Sequence, residues 1–151
     1  MRVFFGITAA VVLSASVLAA YAHGGATGVV MERMELMKSI QDQMKIVGEM
    51  ILGKREFDAE SVKAAGQTIA GHAEVIPHKF PEGSIEGPSE ATSTIWEEWD
   101  SFVKLAEELK ATALSMADAA ETAVDEAAIR PHFAAVGKTC LACHEDFRKA
   151  N

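Results

Sequence analysis

Two thiols and an imidazole stand together in Cys140-Leu141-Ala142-Cys143-His144, and the chain has no other cysteine. On a helix, positions i, i+3 and i+4 share a face. Both sulfurs and the ring would therefore project the same way. Thiols at this separation can add to the two vinyl groups along one edge of a haem. The imidazole one turn after Cys140 then points at the iron, and C-x-x-C-H is the attachment signature of haem c. Gly137, three residues before Cys140, leaves room for the macrocycle close to the backbone. The expectation is one covalent haem c, bound through Cys140 and Cys143, with His144 as an iron ligand.

Two other chemistries could use the same residues. A redox disulfide of the thioredoxin kind belongs to a strand–helix pattern, and this sequence shows no strands. A structural zinc site commonly needs four ligands. Two cysteines and scattered histidines do not supply a convincing set. His23, His72, His78 and His132 have no patterned partners and read as surface or packing residues. Nothing suggests a catalytic nucleophile or general base, so the chain is not expected to be an enzyme.

The elements that must position this motif read as helices. Ala, Glu, Lys, Met and Leu dominate, and these are helix formers. The first amphipathic segment runs from about Gly28 to Leu52, with Val30, Met34, Met37, Met44, Val47 and Ile51 on one face. Gly53 and Lys54-Arg55-Glu56 close it. Asp58 can cap the second, whose apolar positions are Val62, Ala65, Ile69, Ala73 and Ile76, with Pro77 marking the exit. A turn-rich stretch, Pro81 to Ser89, forms the longest loop.

Thr92 or Ser93 can cap the third helix. Its stripe of Ile95, Trp99, Phe102, Ala106, Leu109, Ala113 and Met116 steps by four and three, as in a heptad seam. Asp118 to Thr122 reads as a connection. The fourth helix spans about Asp125 to Lys149, with Phe133, Val136, Cys140, Cys143 or His144, and Phe147 inward. Pro131 implies a kink there or a start nearer Arg130. Four helices with one apolar face each pack most economically as an antiparallel four-helix bundle. The fold expected is all-α, with the haem near the C-terminal helix.

Residues 1–22 read differently. Arg2 is the only charge, Val3 to Ala20 is apolar, and Ala20-Tyr21-Ala22 fits a cleavage site. This is the pattern of a secretory signal peptide. It implies export to the periplasm, with residues 23–151 as the mature domain and no membrane attachment after cleavage; an uncleaved membrane anchor is the alternative, since the stretch is nearly long enough to span. Removing Arg2 leaves 13 basic against 22 acidic residues, a formal charge of −9. Such a surface repels nucleic acid and suits a basic protein partner.

The run Gly-Lys-Thr-Cys-Leu-Ala-Cys-His-Glu-Asp-Phe-Arg (137–148), together with Ile95-Trp96 and Phe80-Pro81-Glu82-Gly83, resembles the class II c-type cytochromes. These are four-helix-bundle haem proteins that include high-spin cytochrome c′ and the low-spin cytochrome c-556 type. The resemblance covers essentially the whole mature chain. It implies that Met37, four residues after Arg33, is the sixth iron ligand. It places Arg33 near a haem propionate, and Arg148, four after His144, beside the proximal ligand. The function expected is one-electron transfer through a low-spin His/Met haem, exchanging with redox partner proteins not identified by the sequence. The alternative is a five-coordinate cytochrome c′ binding nitric oxide or carbon monoxide. Five methionines lie on the first helix, so Met34 is the next candidate for the sixth ligand. Many members of the family dimerise through their first two helices; a homodimer is left open here.

Overall fold

The computed structural model describes residues 25–150. Residues 1–22, read above as a signal peptide, and His23 lie outside the described residues. Five α-helices occur in order: α1 Gly28–Ile51, α2 Ala59–Val75, the short α3 Thr94–Glu97, α4 Trp99–Ala120 and α5 Arg130–Phe147. A 3-10 turn, Pro77–Lys79, follows α2. The four long helices form the antiparallel bundle, and the described residues contain no strand beyond one isolated bridge between Ala91 and Arg148.

Local chemistry explains the helix ends. Gly53 carries the positive φ (+68°) that terminates α1, a conformation glycine adopts without a Cβ penalty. Asp58 caps α2 by accepting from the Ser61 amide at 3.3 Å. Pro131 sits in the first turn of α5, where its missing N–H costs nothing. The helix therefore starts at Arg130, the alternative that Pro131 offered, and not at Asp125. It ends at Phe147, not Lys149. The helix α4 extends to Ala120, so most of the expected connection 118–122 is helical.

Two stripes need correction. On α1 the buried residues are Arg33, Leu36, Ile40, Val47 and Met50. Of the expected face, Val47 is buried, Met37, Met44 and Ile51 pack partly against the core, and Met34 is 37% exposed. On the third expected helix the chain breaks at Glu98, and Trp99 is exposed, while Ile95, Phe102, Ala106, Leu109, Ala113 and Met116 are buried as expected. Ser93 is the N-cap residue of α3 but makes no side-chain cap. The Thr92 hydroxyl is buried without a partner.

The bundle is tightest between α2 and α4, where small residues line the seam. A Cβ added at Gly66 would stand 2.6 Å from the Ala113 carbonyl oxygen and 2.9 Å from the Ala117 Cβ. Backbone cannot yield as a flexible side chain can. Gly66→Ala is therefore expected to destabilise the protein by about 1–3 kcal/mol through overpacking, read as a lowered thermal midpoint. An unchanged midpoint would mean that the two helices separate freely here.

The long loop is pinned to the end of α5. The Thr92 amide donates to the Phe147 carbonyl (3.1 Å), and the Lys149 amide to Glu90 (2.8 Å). Trp96 Nε1 donates to the Phe80 carbonyl at 3.0 Å, closing the other end of the loop.

Candidate functional site

A cleft of about 680 Å³ opens between α1, α4 and α5. That volume lies within the range of sites for compact organic ligands. All six residues singled out from the sequence line it: Arg33 and Met37 from α1, Cys140, Cys143 and His144 from α5, and Arg148 just beyond α5. Met34, the other methionine considered, lines it too. Phe102, Leu105, Ala106 and Leu109 supply an apolar wall from α4. His72 and His132 lie outside the lining. Each instead meets a serine on a neighbouring helix: Ser39 at 2.8 Å for His72 and Ser115 at 3.1 Å for His132.

The two cysteines are partly buried free thiols. Burial raises both above the usual thiol range, and Cys143 reaches about 11, with Cys140 and Asp146 adding to the effect. A redox-active C-x-x-C needs a depressed pKa for its attacking thiol, and burial here acts in the opposite direction. Among the described residues no three His, Cys, Asp or Glu side chains gather to hold a bare metal ion. In haem-free protein, alkylation of Cys143 by iodoacetamide should be slow at pH 8 and rise only toward pH 11. Fast labelling at pH 7 would contradict the apolar setting.

Burial, followed by the nearby Arg148 charge, pushes the His144 imidazole below its ordinary pKa, with Glu90 acting the other way. The ring is thus neutral at neutral pH, the form that can donate a lone pair to a metal. Arg148 does not float free: its Nε donates to Glu90 at 2.7 Å.

Whether these residues fit a haem is tested best at Arg33. Its side chain is buried, its guanidinium carbon lies 4.3 Å from the centroid of the Phe80 ring, and Nη2 donates to the Ser84 hydroxyl (2.7 Å) and carbonyl. Nε and Nη1 are buried with no hydrogen-bond partner. Unpaired buried donors on a cation are costly, and a carboxylate in the cleft, such as a haem propionate, would satisfy them. Gly137 also lines the cleft, and a Cβ there would meet nothing within 4 Å. The site fits the group.

Ser84 and Glu90, which hold Arg33 and Arg148, were not singled out from the sequence. Both lie in the connection between the 3-10 turn and α3, whose irregular backbone offers no periodicity to place a side chain.

The comparisons agree with this geometry. The family model described as Cytochrome C′ matches residues 28–148. A cytochrome c-556 from Agrobacterium tumefaciens is 36% identical over 121 residues, covering 80% of this chain and 97% of the relative. A cytochrome c′ from Pararhodospirillum photometricum is 36% identical over 124 residues, covering 78% and 93%. The solved cytochrome c′ from Rhodopseudomonas palustris superposes with a TM-score of 0.75 at 30% identity, covering 83% of this chain and 99% of that one. By the match of the family model over most of the chain and by these relatives, the chain belongs to the cytochrome c′ family, the class II c-type cytochromes, which carry one covalent haem c.

Proposed function

We propose that this protein is an exported, periplasmic haem c protein that binds a small diatomic molecule, nitric oxide or carbon monoxide, on the haem face opposite His144. In this reading Cys140 and Cys143 form the thioethers and His144 is the proximal ligand. Arg33 pairs with a propionate, and Arg148, held by Glu90, flanks the proximal side. When bound, the haem supplies a redox-active iron with an axial position for an exogenous ligand.

The observation that carries the proposal is the α1 wall of the cleft. Val30, Met34, Met37, Ile40 and Met44 make most of it apolar, with Arg33, Lys38 and Gln41 as its polar members, so a neutral diatomic meets mainly apolar surface on this side. The family model and the solved neighbour support this reading better than the low-spin one. The matching family is that of cytochrome c′, and the solved neighbour that is 30% identical is a cytochrome c′.

A second reading has its own support. Met37 lies in the cleft one turn after Arg33, and one relative at 36% identity is a cytochrome c-556. If the Met37 sulfur closes the sixth position, the protein is a one-electron carrier. A thioether opposite imidazole raises the potential and leaves no open site.

The visible spectrum of the mature protein, reduced, with and without carbon monoxide, separates the two. The expected result is a broad high-spin spectrum that shifts with carbon monoxide and is unaltered in Met37→Leu. A sharp, split spectrum that resists carbon monoxide and turns high-spin in Met37→Leu would replace the first reading with the second. A homodimer, which the family resemblance leaves open, is added to the proposal. A monomer mass by light scattering would remove that part alone.

A further inference from the structure

A second, smaller groove of about 370 Å³ lies on the surface, where Phe80, Trp96 and Trp99 line it together with Pro77, His78, Pro81 and Glu82. Phe80 also lines the haem cleft, so one side chain serves both spaces. Trp99 is 37% exposed. Its ring centroid lies 5.6 Å from that of Phe102, which lines the cleft and in turn lies 4.9 Å from Phe80 and 5.4 Å from Phe147. A continuous set of aromatic contacts thus leads from the surface to the cofactor site.

Beyond His78 and Lys79 at its start, the segment that carries most of the groove's lining is one-sided in charge. From Lys79 to Lys104 the chain has no basic residue between them, but it has Glu82, Glu86, Glu90, Glu97, Glu98 and Asp100. Among the described residues only Glu90 of these six forms an ion pair, with Arg148. Glu97, Glu98 and Asp100 flank Trp96 and Trp99 in sequence and are exposed. An aromatic centre inside a charged rim is the anatomy of a protein interface, and redox encounters are served by small, transient ones. The uncompensated acid selects the partner's sign.

We propose that this groove is the electron-exchange surface of the protein, docking a one-electron carrier protein with a basic face, and that Trp99 and Phe102 form its contact route to the haem. One electron passes between the ferrous iron of one protein and the oxidised centre of the other. The donor is oxidised by one unit and the acceptor reduced by one, with no bond or proton transferred. The inference rests on haem occupying the cleft and holds whichever ligand fills the sixth position, because carbon monoxide binding also requires the ferrous state.

The test uses the mature haem-loaded protein, reduced, and ferric mitochondrial-type cytochrome c as a lysine-rich one-electron probe. In the triple variant Glu97→Gln/Glu98→Gln/Asp100→Asn the second-order rate should fall about tenfold at low ionic strength and converge with the parent at high salt. The control Glu56→Gln/Glu60→Gln/Asp118→Asn removes equal charge at the far end of α2 and α4. It should stay within about twofold of the parent. Trp99→Leu should slow exchange at all salt concentrations, and the probe should shift the Trp99 indole N–H resonance in the parent. Equal losses in both triple variants, or an unmoved Trp99 resonance, would overturn the proposal, leaving only a whole-molecule charge effect. Absence of the haem absorption from the parent would instead defeat the haem reading beneath it.

Discussion

Replacing both Cys140 and Cys143 by serine should turn a haem that cannot be extracted into one that acidified acetone removes completely. The thioethers hold the cofactor regardless of affinity. Without them only the His144–iron bond and packing in the cleft remain. A site filled at 1,000 times its dissociation constant stabilises the fold by about 4 kcal/mol, and a tethered cofactor never leaves that regime. Losing it should lower the melting temperature by roughly 10–15 °C for a chain of this size. The large opening between α1 and α5 makes the fold especially dependent on what fills it, since the two helices touch little. Mass spectrometry checks the first outcome and thermal unfolding the second. A bare polypeptide mass in the parent, or haem that survives extraction from the variant, would refute the assignment of these two thiols.

How much of this was legible in the sequence follows from what periodicity can encode. The α4 stripe was readable because Phe102, Ala106, Leu109, Ala113 and Met116 repeat on a fully buried face. Trp99 broke the pattern because the chain leaves helical geometry at Glu98, and a large aromatic counts as apolar wherever it points. On α1 the reading was off for a related reason. That helix faces a cleft, so apolar residues such as Met34 and Met37 are not fully buried, while the charged Arg33 is. A pattern rule that places charge outward fails at a residue such as Arg33, which is buried against Phe80 and Ser84 at the rim of a cleft. The attachment motif was legible because covalent chemistry imposes its spacing locally. The supports from Ser84 and Glu90 were not, because they reach the site through a loop whose course is set by tertiary contacts to Phe147 and Lys149.

Arg33 yields the prediction whose sign is most informative. Arg33→Met should weaken the haem-loaded protein by about 3–5 kcal/mol, the usual consequence of stripping one partner from a buried charge pair. In the haem-free Cys140→Ser/Cys143→Ser background the same substitution should cost nothing, or stabilise by about 1–4 kcal/mol. Burial already lowers the pKa of this guanidinium by desolvation. Its partners within the chain are neutral: the Ser84 oxygens and the Phe80 ring. Two of its nitrogens are left with none. Without an anion the cation is a burden that methionine of similar length removes; with a propionate beside it, the burden becomes the pair's other half. Arg33→Lys should fall between the two in the loaded protein, because an ammonium keeps the charge but cannot span Ser84 and the cleft with a planar fork. Urea unfolding of the four proteins reads the cycle. Equal destabilisation with and without haem would make Arg33 a brace for the Ser84 loop alone, and the propionate would then need another partner in the cleft.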